Sequence, residues 1–167
     1  LYVGLSNYSP EKLREASDIL RGMGVPCVIH QHRYSMLERQ NEKLIPVIEN
    51  AGMGSIAFSP LAQGILTGKY INGIPANSRA AGKSIFLTEK MITKDVIKKV
   101  IQLNEIARER GQSLSQMALA WALKQGKLTS VLIGASRAEQ IIENVKTLEH
   151  MDFTEDELNK IEEVLGE

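Results

Sequence analysis

Side chains able to do chemistry are sparse in this sequence, and the densest group lies in residues 130–145, SVLIGASRAEQIIENV. Val131, Leu132 and Ile133 suit a fully buried strand, which Gly134 breaks. Ser136, with Glu139 three residues later, reads as an S-x-x-E capping box opening a helix. A strand that turns over a glycine into a capped helix aims free backbone N–H groups and the positive end of the helix dipole at one point, a natural anion site. Arg137 in the first helical turn is unfavourable for the dipole and favourable for a phosphate, so a phosphorylated ligand is expected here. The plainer reading is an ordinary strand–helix unit with a surface arginine.

Other side chains carry weaker signals. His30 and His32 are two apart on an extended stretch and could share a face toward a metal, but no third ligand accompanies them, so no metal site is expected. His150 reads as surface, and Cys27, inside an apolar run, as a small buried hydrophobe. Tyr34 has no Lys or Asp beside it and reads as structural. Trp121 and the scattered methionines read as core, and the acidic residues 155–167 as a solvated helix face.

The elements that must position these groups follow a regular rhythm. Residues 1–5 form a short apolar strand ended by Ser6-Asn7. Ser9 caps a helix with Pro10 at its first position, where a missing N–H costs nothing; Leu13, Ala16, Ile19 and Leu20 form its apolar face, and Gly22 and Gly24 stop it. A second strand is expected at 26–31, a helix ending at Asn50, and a third strand at 55–58, closing on Ser59-Pro60. Apolar runs rather than alternation predict strands buried on both faces. Repeated strand–helix units predict a parallel sheet, either doubly wound or closed as a barrel.

Residues 60–90 interrupt the rhythm with glycines, prolines and basic residues. A loop this long after the C-terminal end of a strand is usually functional. Helical patterning returns at 94–110 through Val96, Ile97, Val100, Ile101, Leu103 and Ala107. Ser113 with Gln116, and Thr154 with Glu157, predict two more capping boxes. Length predicts a single domain over residues 1–167.

Ligands of a parallel α/β fold bind at the C-terminal ends of the strands. Those ends are Ser6-Asn7, Gln31, Phe58-Ser59-Pro60 and Gly134-Ala135-Ser136-Arg137. Together they offer amides and hydroxyls, one aromatic ring and an anion pocket, which suits a nucleotide with an amide-bearing ring. None of them supplies an Asp or Glu, so no acid–base pair is evident.

Composition narrows the classes. The 167 residues are 43% hydrophobic and 24% charged, ordinary for a globular protein. Lys+Arg and Asp+Glu are both 20, and this zero balance argues against nucleic-acid or membrane-surface partners. No apolar run approaches the roughly 20 residues that span a bilayer. The chain opens on LYVGLSNY rather than a basic leader, and its single cysteine fits a reducing compartment, so a cytoplasmic location is expected. Because residue 1 already reads as strand, the chain is expected to be a fragment of something longer.

Taken together, VGLSNYSPEKL (3–13), HQHRYSMLER (30–39), IAFSPLAQGILTGKY (56–70), GIPANSR (73–79), MALAWAL (117–123) and TSVLIGASRAEQIIENV (129–145) resemble the C-terminal half of an aldo-keto reductase. The branch that looks nearest holds the bacterial glyceraldehyde 3-phosphate reductases and the potassium-channel β subunits. The resemblance implies half of a (β/α)8 TIM barrel: four parallel βα units, a long loop after the third strand and a C-terminal helix. It implies NADPH as cofactor and a small carbonyl compound as substrate.

By the same resemblance, Ser6, Asn7 and Gln31 would hold the nicotinamide carboxamide and Phe58 would stack on the ring. Ser59, Pro60, Leu61, Gln63, Gly64 and Lys69 would line the pyrophosphate. Gly134, Arg79, Ser136, Arg137 and Gln140 would surround the 2′-phosphate, and Glu143 and Asn144 the adenine. Two arginines at a 2′-phosphate favour NADPH over NADH. The family's catalytic Asp, Tyr, Lys and His lie on its first four strands and have no match here, so no catalytic residue is assigned. Four strands would leave two open edges and an uncovered apolar face. A missing N-terminal half, or a second copy of the chain, is the partner expected to cover them.

Overall fold

Ser9 and Pro10 start the first helix where the sequence puts it, and the rest of the computed structural model, which describes residues 2–82, 84–124 and 128–166, keeps the strand–helix rhythm. The strands are β1 (Val3–Ser6), β2 (Cys27–Arg33), β3 (Gly54–Phe58) and β4 (Ser130–Leu132). The helices are α1 (Pro10–Gly22), α2 (Ile45–Asn50), α3 (Lys94–Glu109), α4 (Leu114–Leu123), α5 (Ala138–Val145) and α6 (Glu155–Leu165). Leu1, expected in the first strand, Lys83, within the long loop, and Glu167, at the end of the acidic stretch, lie outside the described residues. The strands pair in parallel as one sheet of order β1-β2-β3-β4. This is the α/β class expected, with the long segment after β3 and α6 at the C-terminal end.

The chain divides into two compact units, Leu1–Pro60 with Ala122–Gly134, and Leu61–Trp121 with Ala135–Glu167. The first holds the sheet. Leu13 of α1, Leu44, Val47 and Ile48 at α2, Cys27 and Met53 form its core, with Leu5, Leu20 and Ala51 packed against it. Ile19, expected on the apolar face of α1, is exposed. It sits six residues from Leu13, roughly 120° away around a helix.

Burial along the strands alternates, which corrects the expectation of strands buried on both faces. His30, His32, Ser55 and Ala57 are buried, whereas Ile29, Gln31, Ile56 and Phe58 are only partly covered and Leu132 is 46% exposed. One face lies under α1 and α2, and the other is open. In β2 the register slips by one residue, Val3 pairing with Cys27 but Gly4 with Ile29. The extra residue is exposed Val28, and the bulge turns Cys27 onto the covered face. The second strand also runs two residues beyond its expected end at Gln31, adding His32 and Arg33.

In the second unit α3 packs on α6. Val100, Leu103, Ile106 and Ala107 are buried on α3, and Trp121 is fully buried on α4. Ile101, expected on the buried face, is exposed, because that face runs 100-103-107 at helical spacing. Two of the three expected boxes close: Ser113 with Gln116, and Thr154 with Glu157. None of the described helices is long and apolar enough to cross a membrane.

The feature that ties this unit's loops to its helices is Arg110, whose side chain is 1% exposed. Its guanidinium donates to Gln112 Oε1 at 3.0 Å, to the Asp152 carbonyl at 2.9 Å and to Glu157 Oε2 at 2.5 Å. It also stacks 3.8 Å from the Phe153 ring centroid. Such a fork needs the planar geometry of arginine, which a lysine cannot reproduce. Arg110→Ala is expected to cost about 2–3 kcal/mol, as loss of one partner of a buried charge pair does, and Arg110→Lys to recover less than half of that. Urea unfolding checks this; a change below about 0.5 kcal/mol for the alanine variant would rule out the role.

Candidate functional site

The first unit brings three of the expected residues onto its open sheet face. Ser6 pairs with Gln31, Gln31 with Ile56, and Phe58 stands two residues beyond Ile56, so all three side chains share that face. Asn7 follows directly, its N–H donating to the Gln31 carbonyl at 3.0 Å. Ser59 follows Phe58, and Pro60 beside it is buried.

Backbone conformation singles out the same places. Among the described residues, four non-glycine residues have positive φ: Asn7 (58°), Ser59 (55°), Ala62 (48°) and Gln63 (59°). All four follow the C-terminal ends of β1 and β3. Left-handed backbone at non-glycine residues costs of order 1 kcal/mol or more and clusters where a chain must present groups to a ligand. The sequence offers little forewarning of Ala62, since alanine is a poor residue for such a turn.

In the second unit, residues 61–69 wind tightly. The Leu61 carbonyl accepts from Gly64 N–H at 2.8 Å and Leu66 N–H at 3.2 Å, and Thr67 Oγ1 donates to the Gly64 carbonyl at 2.8 Å. Gly64 has φ 96°, and a Cβ there would sit 3.0 Å from Lys69 Nζ, so the lysine lies directly over the glycine backbone. Arg79, sixteen residues further on, donates to Gln63 Oε1. Two separate expectations, a pyrophosphate residue and a 2′-phosphate residue, thus meet in one hydrogen bond. Lys69, Arg79 and Arg137 have no carboxylate partner among the described residues.

The α5 start differs from the expected capping box. Arg137 is the N-cap, in extended conformation (φ −146°, ψ 149°), with no side-chain cap. Ser136 therefore lies one residue too early and Glu139 falls out of register for a reciprocal box. Instead Gln140 reaches back: its Oε1 accepts from the Ser136 N–H at 2.8 Å and the Ser136 hydroxyl at 3.3 Å. Ser136, Arg137 and Gln140 are still gathered at one helix end, with exposed Gly134 two residues earlier in the chain. Glu143 and Asn144 sit later on α5; Asn144 is buried. Gln116 Nε2 donates to the Glu143 carbonyl at 3.1 Å and to its Oε1 at 3.0 Å. Sequence reasoning read Gln116 only as half of a local cap and missed this reach to α5.

A cavity of about 520 Å³ in the second unit is walled mainly by Tyr70, Ile71, Ile74, Ile92, Ile97 and Ile101. None of the expected cofactor residues lines it.

His30 and His32 are buried on the covered face, their Nδ1 atoms 3.4 Å apart and their rings stacked at 5.5 Å. The Tyr8 N–H donates to His30 Nε2 at 3.4 Å. His30 therefore carries its proton on Nδ1 and donates it to His32. Two imidazoles in this contact cannot both be charged. Tyr34, next along the column, donates to Glu42 Oε1 at 2.7 Å, the structural role expected of it.

Four strands paired in parallel as one sheet, with helices between them, define an α/β protein. The chain belongs to the aldo/keto reductase family, whose profile matches residues 1–166. It is 48% identical over 172 aligned positions to the L-glyceraldehyde 3-phosphate reductase of Escherichia coli K12, covering 100% of this chain and 50% of the relative. It is 37% identical to a putative voltage-gated potassium channel subunit beta of Schizosaccharomyces pombe, over 99% of this chain and 50% of the relative. A probable subunit of the same description from Oryza sativa subsp. japonica is 35% identical, over 98% and 52%. The chain thus spans about half the length of these relatives, consistent with four of eight barrel strands.

Burial, and then the neighbouring His30, hold His32 down to about 4 from the ordinary 6.5. The unfolded chain binds a proton near 6.5 and the folded chain only near 4, so stability falls as the pH drops through that window. The loss is expected to reach up to about 3 kcal/mol. Denaturation midpoints of wild type and His32→Gln between these pH values check it, and an equal slope in both would refute the assignment.

Proposed function

We propose that this chain is the cofactor-holding half of an NADPH-dependent aldo-keto reductase whose intact form reduces small aldehydes or ketones to alcohols. The observation that carries the reading is that, among the described residues, left-handed non-glycine backbone is confined to Asn7, Ser59, Ala62 and Gln63, within segments that resemble the family's cofactor contacts. The residues present fit the group. Ser6, Asn7 and Gln31 offer donors and acceptors for a carboxamide from the open face, and the Phe58 ring stacks beyond them.

Ser59, Pro60, Leu61, Gln63, Gly64 and Lys69 serve the pyrophosphate: a glycine without Cβ and the cation above it suit a doubly charged group. Gly134, Arg79, Ser136, Arg137 and Gln140 serve the 2′-phosphate, and Glu143 and Asn144 the adenine. Bound NADPH supplies the hydride. The chain's own residues orient the nicotinamide, neutralise phosphate charge and exclude water behind the ring. The proton for the carbonyl oxygen comes from residues outside the motifs matched here, and we assign it to an N-terminal half.

That half, or a second copy of the chain, covers the open sheet face and the outer strands. Similarity to a glyceraldehyde 3-phosphate reductase supports a phosphorylated aldehyde as substrate, and the single cysteine fits the reducing conditions of a cytoplasm. Similarity to channel β subunits supports a second reading, a nucleotide-binding regulatory or assembly module.

Titration of NADPH fluorescence on the wild-type chain and on Arg137→Ala tests the site. The substitution is expected to weaken NADPH by about 1–3 kcal/mol and leave NADH nearly unchanged, because only the former carries the 2′-phosphate. Equal loss for both cofactors, or no NADPH binding by the wild type at about 100 μM, a concentration equivalent to only about 5–6 kcal/mol of binding energy, defeats the proposal.

A further inference from the structure

Gln116 stands where two tasks meet. Its Oε1 accepts from the Ser113 N–H at 3.0 Å, while Ser113 Oγ accepts from the Gln116 N–H at 3.3 Å, which closes the cap of α4. That uses the oxygen of the side-chain amide and leaves its nitrogen. Both remaining needs of that nitrogen are met by one residue of α5: Nε2 donates to the Glu143 carbonyl at 3.1 Å and to the Glu143 carboxylate at 3.0 Å. A glutamine is required for the pair of tasks, since a glutamate at this position closes a capping box equally well but has no donor to offer Glu143.

The grip is directional. A two-point hold on the main chain and side chain of one residue fixes the rotamer of that side chain, which a single surface contact does not. Gln116 is 8% exposed, so its bonds compete little with water. Thr147, buried on the turn after α5, donates its hydroxyl to the Gln116 carbonyl at 3.5 Å, a further tie between the same two stretches. Lys146 approaches the other carboxylate oxygen of Glu143, Oε2, at 3.7 Å. The carboxylate is thereby oriented from one side by Gln116 and retains acceptor capacity for another donor.

We infer that Gln116 is a positioning residue for purine specificity: it sets the Glu143 carboxylate to accept from an exocyclic amino group, and so selects adenine over a 6-oxopurine in the dinucleotide. This rests on the proposed role of Glu143 toward the adenine. A 6-oxopurine presents an acceptor where adenine presents a donor, so an oriented carboxylate repels the wrong base, whereas a freely rotating one turns away and discriminates little.

The test is a comparison of NADPH with its hypoxanthine analogue, by fluorescence titration, on the wild-type chain, Glu143→Gln, Gln116→Glu and Ser113→Ala. Gln116→Glu keeps the cap and loses the grip, and Ser113→Ala loses the cap's hydroxyl and keeps the grip. Wild type is expected to prefer the adenine cofactor by about five- to tenfold, the scale of one oriented polar contact. Glu143→Gln and Gln116→Glu are both expected to bring the ratio close to one, and Ser113→Ala to leave it unchanged despite lowered stability. A purely structural role for Gln116 would lower stability or overall affinity without moving the ratio. If Glu143→Gln abolishes the preference and Gln116→Glu retains it, the positioning role is overturned while the adenine contact stands. A wild type without preference, or Glu143→Gln with the preference intact, overturns both.

Discussion

Register along β2 decides what each of its side chains can do. Successive residues of a strand point to opposite faces, and pairing with β1 on one side and β3 on the other fixes which face each takes. His30 and His32 go under the helices, lose their water and are held neutral. Ile29 and Gln31 go to the open face, beside Ser6 and near Phe58. A shift of one residue would exchange the two sets, burying an amide without partners and exposing two imidazoles. The bulge at Val28 is what allows Cys27, at the start of the strand, to join the core without disturbing that order.

The second constraint is electrostatic. Zero net charge conceals an uneven distribution of partners. Arg110 is satisfied on every side, by an amide, a carbonyl, a carboxylate and a ring, and holds α6 and its preceding loop to the end of α3. Lys69, Arg79 and Arg137 lack carboxylate partners among the described residues. Cations that stabilise a fold are generally paired with carboxylates when buried; Lys69, over the Gly64 backbone and the Tyr70 ring, and Arg79, bonded to the Gln63 amide, keep a charge that no carboxylate compensates. Arg110 and Arg137 contrast within one unit of the chain: the first is buried against a carboxylate, the second exposed at the start of α5.

Strain follows the same division. Elements such as α1, α4 and α6 begin with conventional caps whose side chains close onto the first turn. The turns after β1 and β3 instead hold Asn7, Ser59, Ala62 and Gln63 in left-handed backbone, a cost that folding alone gives no reason to bear. The start of α5 departs in another way, with an extended arginine at the N-cap and a glutamine reaching back to Ser136. Departures from local convention gather in the turns after β1 and β3 and at the start of α5.

Much of this was legible from the residues alone. Pro10 after Ser9, the S-x-x-Q and T-x-x-E boxes and the apolar runs at 27–29, 56–58 and 131–133 determined where most elements lie, because capping and strand propensity depend on near neighbours in the chain. The motif runs determined the family for the same reason, since each is a contiguous stretch. Other features belonged to tertiary structure. Which strand face stays open depended on pairing with β1 and β3. Whether Ser136 caps a helix depended on the backbone of Arg137. That Gln116 reaches Glu143, and Arg110 reaches Glu157, depended on residues 27 and 47 positions apart in the chain being brought together. Local rules carry no information about such distances, so contacts between remote residues became visible only once the chain was folded.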